Sequence, residues 1–289
     1  VRRDEDRAMS DTKRDLLALD ELAAETILAL LARARVMRDG WESRRMPQAL
    51  AGRRVALVVD DYGWRNTTAF ELGIAAMGGT CARAPLTLTG KEAVADLAAY
   101  LGNWVDGVAI RTPDLAALRA LAAAHRGPVI NARTRQNHPC ETLGDLAFLA
   151  DLWGGMRPMK LAAVAPMANI LASWVEAAAV LPIEVVQVGP RAWHAPGLAA
   201  TEDMEALRDA DVVITDCWPD DGDAAELARW QVTEAVLDGS RAVFIPCPPV
   251  TRGQEVSEGA MRHPRCRAVE AKGWLLHAQN AVLEWSLGD

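Results

Sequence analysis

Arg54-Val55-Ala56-Leu57-Val58-Val59-Asp60, then Asp61-Tyr62-Gly63-Trp64-Arg65-Asn66, then Thr67-Thr68-Ala69-Phe70-Glu71-Leu72-Gly73-Ile74-Ala75-Ala76-Met77-Gly78, is the stretch that decides the fold. Its first part is a short β-branched run suited to a buried parallel strand, and its last part spaces apolar residues as a helix does. The middle part is then a loop joining the carboxyl end of a strand to a helix N-terminus. Unpaired backbone N–H groups and the helix dipole face outward at such a junction, which makes it a natural anion site. Read by itself, the segment also fits a plain connection with Arg65 on the surface.

The same alternation continues on either side. Downstream, strands are expected near 80–83, 107–110 and 128–131, with helices at 91–102 and 115–125 between them, giving one wound parallel sheet. Upstream, 16–38 reads as one long amphipathic helix with Asp20 and Glu21 favouring its start. A second cycle opens at 159–166, runs through the helical 169–180, and continues in strands within 183–189, 210–216 and 241–247. The join lies in the helix of 141–155, which Gly154-Gly155 ends. The fold class is therefore α/β, with two wound parallel-sheet domains and terminal helices crossing between them. The expected boundaries are a disordered extension at 1–14, a first domain at 15–145, a second at 146–275 and a closing helix at 276–289 that packs back on the first.

The chain has 289 residues, 51% of them hydrophobic, enough for two cores of ordinary size. Its net charge of -8 offers no broad field for nucleic acid or an anionic membrane. Five cysteines without a close pair indicate neither a zinc ribbon nor a disulfide framework, and a reducing cytoplasm fits best. No apolar run reaches the length of a membrane span, and the first fifteen residues are too charged for a secretory signal. No GxGxxG follows any strand, which argues against a dinucleotide enzyme.

Further segments carry chemistry-bearing residues at strand ends. Arg111 closes Val105-Asp106-Gly107-Val108-Ala109-Ile110-Arg111, and His138-Pro139-Cys140-Glu141 opens the helix after the fourth strand. In the second half stand Asn169 and Ser173, Thr215-Asp216-Cys217-Trp218, and Pro246-Cys247-Pro248-Pro249-Val250-Thr251-Arg252-Gly253. Taken singly, each has a bland reading. Arg111 fits a solvated strand end, His138 a structural hydrogen-bonding residue, Cys247 a small buried hydrophobe, and Asp220 to Asp223 a solvated turn.

In this order and spacing, the pieces resemble the aspartate/ornithine carbamoyltransferase family, closest to its ornithine carbamoyltransferase-like members, over about residues 15–287. The family carries a Ser-x-Arg-Thr-Arg loop followed by Phe-Glu-x-Gly, where this chain has Gly63-Trp64-Arg65-Asn66-Thr67 and Phe70-Glu71-Leu72-Gly73. His138-Pro139-Cys140-Glu141 stands against His-Pro-x-Gln, and Asp216 and Cys247 against the aspartate of Thr-Asp-Val-Trp and the cysteine of His-Cys-Leu-Pro-x-x-Arg-Gly. The closing Leu276-His277-Ala278-Gln279 echoes the family's last helix, although Gly273-Trp274-Leu275 replaces Glu-Asn-Arg.

The resemblance implies transfer of a carbamoyl group from carbamoyl phosphate to the amine of an amino-acid-like acceptor, in a homotrimer, with no metal or prosthetic group. It implies donor contacts from Gly63, Trp64, Arg65, Asn66, Thr67, Arg111, His138, Glu141 and Arg252, with His138, Arg65 and Arg111 closest to the chemistry. It implies acceptor contacts from Asn169, Asp216, Asp220, Asp221, Cys247 and Pro248. Gly90-Lys91-Glu92 falls where the family sends a loop into a neighbouring subunit's site.

The departures have a direction. Thr67 replaces an arginine, and Glu141, Asp220 and Asp221 add acid, so a cleft more negative and a donor more weakly held are expected. Arg133, Arg135 and Lys91 reverse this if they face the cleft. Replacement of the ornithine-type Ser-Met-Gly by Asp220-Asp221-Gly222 points to another acceptor and to specialised biosynthesis. The alternatives are an enzyme for another acyl or amidino donor and a noncatalytic paralogue that binds a ligand or partner.

Overall fold

The computed structural model describes residues 13–60, 63–219 and 222–288. Lys13 and Arg14, assigned above to the extension, are held: Lys13 pairs with Asp15 at 3.1 Å and Arg14 donates to the Trp285 carbonyl at 2.9 Å. Residues 1–12 lie outside the described residues, as do Asp220 and Asp221 of the acceptor assignment.

The first sheet consists of β1 (Arg54–Val59), β2 (Thr80–Ala84), β3 (Gly107–Arg111) and β4 (Val129–Arg133), all parallel in the order β2-β1-β3-β4. The second holds β5 (Met159–Val164), β6 (Ile183–Val188), β7 (Ala199–Thr201), β8 (Val212–Thr215) and β9 (Val243–Pro246), also parallel, in the order β7-β6-β5-β8-β9. The short edge strand β7 has no run of branched residues and escaped the sequence reading. In each sheet the order reverses beside the first strand, which is where such sheets open a crevice for ligands.

Helices cover both faces. α1 (Ala24–Glu42), α2 (Trp64–Ala76), α5 (Pro139–Trp153) and α10 (Ala268–Leu287) lie on one side of the first sheet, and α3 (Val94–Trp104) and α4 (Leu115–Ala124) on the other. α6 (Asn169–Val180) covers one face of the second sheet with fully buried Trp174. The other face carries Leu207, Trp218, Trp230 and Leu237, with the short helices α7 (Ala224–Leu227), α8 (Glu234–Asp238) and α9 (Glu258–Arg262) nearby.

The chain start departs from the single helix expected over 16–38. Leu16 instead bridges Ile130 in parallel, through Leu16 N–H to the Val129 carbonyl at 3.1 Å and Asn131 N–H to the Leu16 carbonyl at 2.8 Å. The exposed edge of β4 offers these backbone partners, and Leu16, Leu17 and Leu19 are buried against it. The helix begins at Ala24.

α10 also begins earlier than expected, at Ala268 rather than near 276. Gly273 costs a helix interior only about 1 kcal/mol, and burial of Ala271, Trp274 and Leu275 in the core outweighs it. α10 packs on α1, α2 and α5 and reaches β9 of the second sheet. Arg33 pairs with Glu284, and Arg38 pairs with Asp151 at 2.9 Å while its guanidinium lies 5.1 Å from the Trp274 ring. A Cβ at Gly73 would overlap Asn280, and one at Gly144 would stand 3.0 Å from the Leu275 backbone, so these glycines permit the close approach of α2 and α5 to α10. Gly154 ends α5 at φ 74°, the left-handed conformation that favours glycine.

Candidate active site

The carboxyl ends of the two sheets face a shared cavity of about 560 Å³. From the first sheet come Gly63, Trp64, Arg65 and Asn66 at the start of α2, Arg111 at the end of β3, Arg133 and Arg135 after β4, and His138 and Glu141 at the start of α5. From the second come Asn169 at the start of α6, Asp216 and Cys217 after β8, and Cys247, Pro248 and Pro249 after β9. Lys272 reaches it from α10. Residues far apart in sequence thus meet because parallel strands end on the same side.

The α2 turn is arranged around Arg111. A Cβ at Gly63 would overlap the Arg111 guanidinium, so the loss of a serine side chain here leaves that charge its place. Arg65 lies over the exposed Trp64 ring at 4.9 Å. Asn66 is buried and donates to the Ala132 carbonyl at 3.2 Å. Thr67 does not line the cavity: it is 5% exposed, and its hydroxyl turns back to the Gly63 carbonyl at 3.2 Å. A short buried side chain here satisfies itself on its own helix and stands apart from the residues on the cavity wall.

The segment after β4 is fixed by a buried polar network joining the two domains. Asn131 donates to Asn137 at 2.7 Å, and Asn137 donates to Glu176 of α6 at 2.8 Å. The His138 backbone N–H donates to Ser173 at 2.8 Å, and Asn169 donates to the Thr134 carbonyl at 3.0 Å. These bonds tie the loop to α6 and limit its geometry. His138 caps α5 with its imidazole on the cavity wall. Burial, assisted by Arg111, Lys272 and Arg133, holds it well below the usual histidine range. It is therefore neutral at pH 7 and has one N–H to donate.

Among the described residues, cations on the cavity wall offset the acid that Glu141 adds and the charge that Thr67 lacks. Glu141 is ion-paired with Lys272, a residue the sequence reading did not single out. Arg133 and Arg135 both line the cavity, whereas Lys91 is exposed and does not. Arg252 does not reach the wall either: its loop turns outward and it pairs with Glu258 at 2.9 Å.

On the opposite wall, Asp216 is nearly enclosed, and burial raises its carboxyl to about 6, although the Cys217 N–H and Arg133 favour the carboxylate. It is mostly ionised at pH 7. Burial, with Asp216 and Asp145 nearby, drives the Cys247 thiol well above its usual range, so it is no thiolate nucleophile. Among the described residues, no group of three or more His, Cys, Asp or Glu is placed to hold a metal ion, and no helix is long and apolar enough to cross a membrane.

Comparison with known proteins agrees with this layout. Residues 14–151 match the carbamoyl-P binding domain of aspartate/ornithine carbamoyltransferase, and residues 158–286 match the Asp/Orn binding domain. The ornithine carbamoyltransferase of Syntrophus aciditrophicus is 30% identical over 94% of this chain and 99% of its own, and that of Rhodopseudomonas palustris 31% over 95% and 97%. Among solved structures, the ornithine carbamoyltransferase of Burkholderia thailandensis superposes with a TM-score of 0.88 at 28% identity, covering 95% of this chain and 98% of that one. The enzyme of Thermus thermophilus gives 0.86 at 28%, over 94% and 98%. With both domain models matched in order along the chain, it belongs to the aspartate/ornithine carbamoyltransferase family.

Proposed function

We propose that this chain transfers the carbamoyl group of carbamoyl phosphate to the amine of an amino-acid-like acceptor. The observation that carries the reading is the division of the cavity: Arg65, Arg111, Arg133 and Arg135 on the first-domain wall, and Asn169, Asp216 and Cys247 on the other. A dianionic phosphate suits the first wall, since arginine forks match its oxygens. A cationic amino group suits Asp216. Neutral His138 donates to the carbamoyl oxygen as charge develops there. The unprotonated acceptor amine forms the new C–N bond, the C–O bond to phosphate breaks, and the phosphate leaves with the bonding pair among the arginines, taking up the proton that the attacking amine loses. Holding both reactants in contact supplies much of the acceleration.

In this reading, Arg133 and Arg135 take over the charge that Thr67 and the outward-turned Arg252 no longer supply. The acceptor differs from ornithine and the enzyme serves a specialised biosynthesis, as the altered Asp220-Asp221-Gly222 segment suggests. Copies associate as a homotrimer; exposed Tyr100 and Trp104 on α3, beside the edge strand β2, are the apolar surface that supports association. The test is formation of ureido product from carbamoyl phosphate and a panel of amino-acid amines. Turnover with an acceptor other than ornithine supports the reading, and absence of both donor binding and turnover refutes it. Rescue of an arginine-requiring host by this gene alone would contradict the specialised role, and sedimentation at one chain per particle the trimer.

A further inference from the structure

We propose that Glu141 and Lys272 work as one unit, in which Lys272 positions the Glu141 carboxylate so that its second oxygen takes the donor's amino group beside His138. This rests on the carbamoyl phosphate reading and adds a residue to it. Glu141 lies in the first turn of α5 with its side chain 7% exposed, and Lys272 lies near the start of α10 with its side chain 19% exposed. Both line the cavity, and the ammonium contacts Oε1 of Glu141. The other oxygen, Oε2, is 3.8 Å from His138 Nε2, too far for a hydrogen bond. It therefore keeps lone pairs for an N–H group lying against both residues.

A carboxylate in this enclosed place requires a cation, because a buried charge without one is strongly destabilising. Lys272 meets that need from an element the motifs of the first domain do not include. The dependence is mutual. Lys272 is surrounded by Arg65 of α2, with Arg111 and Arg133 at the strand ends and His138 beside Glu141. Burial first, then Arg65, lowers its ammonium to about 7. Asp145, one turn along α5 from Glu141, is itself held largely protonated at pH 7 by burial.

Four variants separate a working pair from a mere packing contact: Lys272→Met, Lys272→Arg, Glu141→Gln and the double Glu141→Gln/Lys272→Met. Carbamoyl phosphate binding to the parent is measured first by calorimetry, then kcat/KM across pH 6–9 and the thermal midpoint of each protein. We expect each of Lys272→Met and Glu141→Gln to lower kcat/KM roughly 100-fold, and the double variant to recover to within about tenfold of the parent. The parent should lose activity on the alkaline side as Lys272 deprotonates, and Lys272→Arg should move that loss to higher pH. No donor binding by the parent sinks the functional reading. Donor binding with Lys272→Met at parental kcat/KM and pH profile, or a double variant as impaired as the product of the singles, overturns this inference alone.

Discussion

Two loops reach the cavity from the first domain, and they differ in how they carry charge. The α2 turn, Gly63 to Thr67, presents Arg65 and shelters Arg111, while Thr67 is buried and turned inward. The segment from Arg133 to Glu141 brings two arginines and a histidine to the wall, and its one acid is matched by Lys272. In our reading the phosphate-binding charge has moved from the first loop to the second. The scaffold allows this because parallel strands deliver neighbouring ends to one place, so the source of a cation matters less than its arrival there.

Removing His138 should have the largest consequence of any single substitution. His138→Ala is expected to lower kcat by about 100- to 1,000-fold, with donor affinity little changed, measured as steady-state rates beside calorimetric binding. A comparable fall in affinity would mean that His138 holds the ground state instead. Thr67→Arg is the next step. If charge has moved, restoring an arginine at this buried position should overpack α2 and cost about 1–3 kcal/mol of stability without tightening donor binding. A stable variant with improved affinity would show that the first loop remains the natural phosphate site.

The opposite wall gives a pH test. Asp216, raised to about 6, must be ionised to hold a cationic acceptor, so acceptor kcat/KM should fall as pH drops through about 6. Asp216→Asn should abolish that inflection along with most of the acceptor specificity. A smaller effect is expected on stability from Asp145, whose carboxyl burial raises to about 8. Its folded pKa lies above its unfolded value, so the folded state binds the extra proton. The stability this contributes is complete below about 4 and declines as pH rises through about 8. Asp145→Asn should flatten the fall in thermal midpoint between pH 6 and 9, and an unchanged slope would place that dependence on another group.

Much of this was legible in the sequence. The strand-helix alternation located eight of the nine strands among the described residues. Arg65, Arg111, His138, Asn169, Asp216 and Cys247, read from motifs at strand ends, all line one cavity. What remained hidden depended on long-range partners. Leu16 reads as helical by spacing, but β4 offers it a backbone edge. Arg252 sits in a matching motif, yet its loop turns it towards Glu258. Lys272 carries no local signal, and its place beside Glu141 follows from the packing of α10 on α5. A lysine at helical spacing ahead of an apolar stripe reads as solvated, and only the buried carboxylate across the interface makes it otherwise.

The central claim, that Arg133 and Arg135 now carry the donor's charge, is tested most directly by calorimetric titration of carbamoyl phosphate into the parent and into Arg133→Gln/Arg135→Gln. We predict a dissociation constant weakened by at least about tenfold in a protein that keeps its fold. Unchanged affinity in a folded double variant would contradict the account and return the phosphate to Arg65 and Arg111 alone.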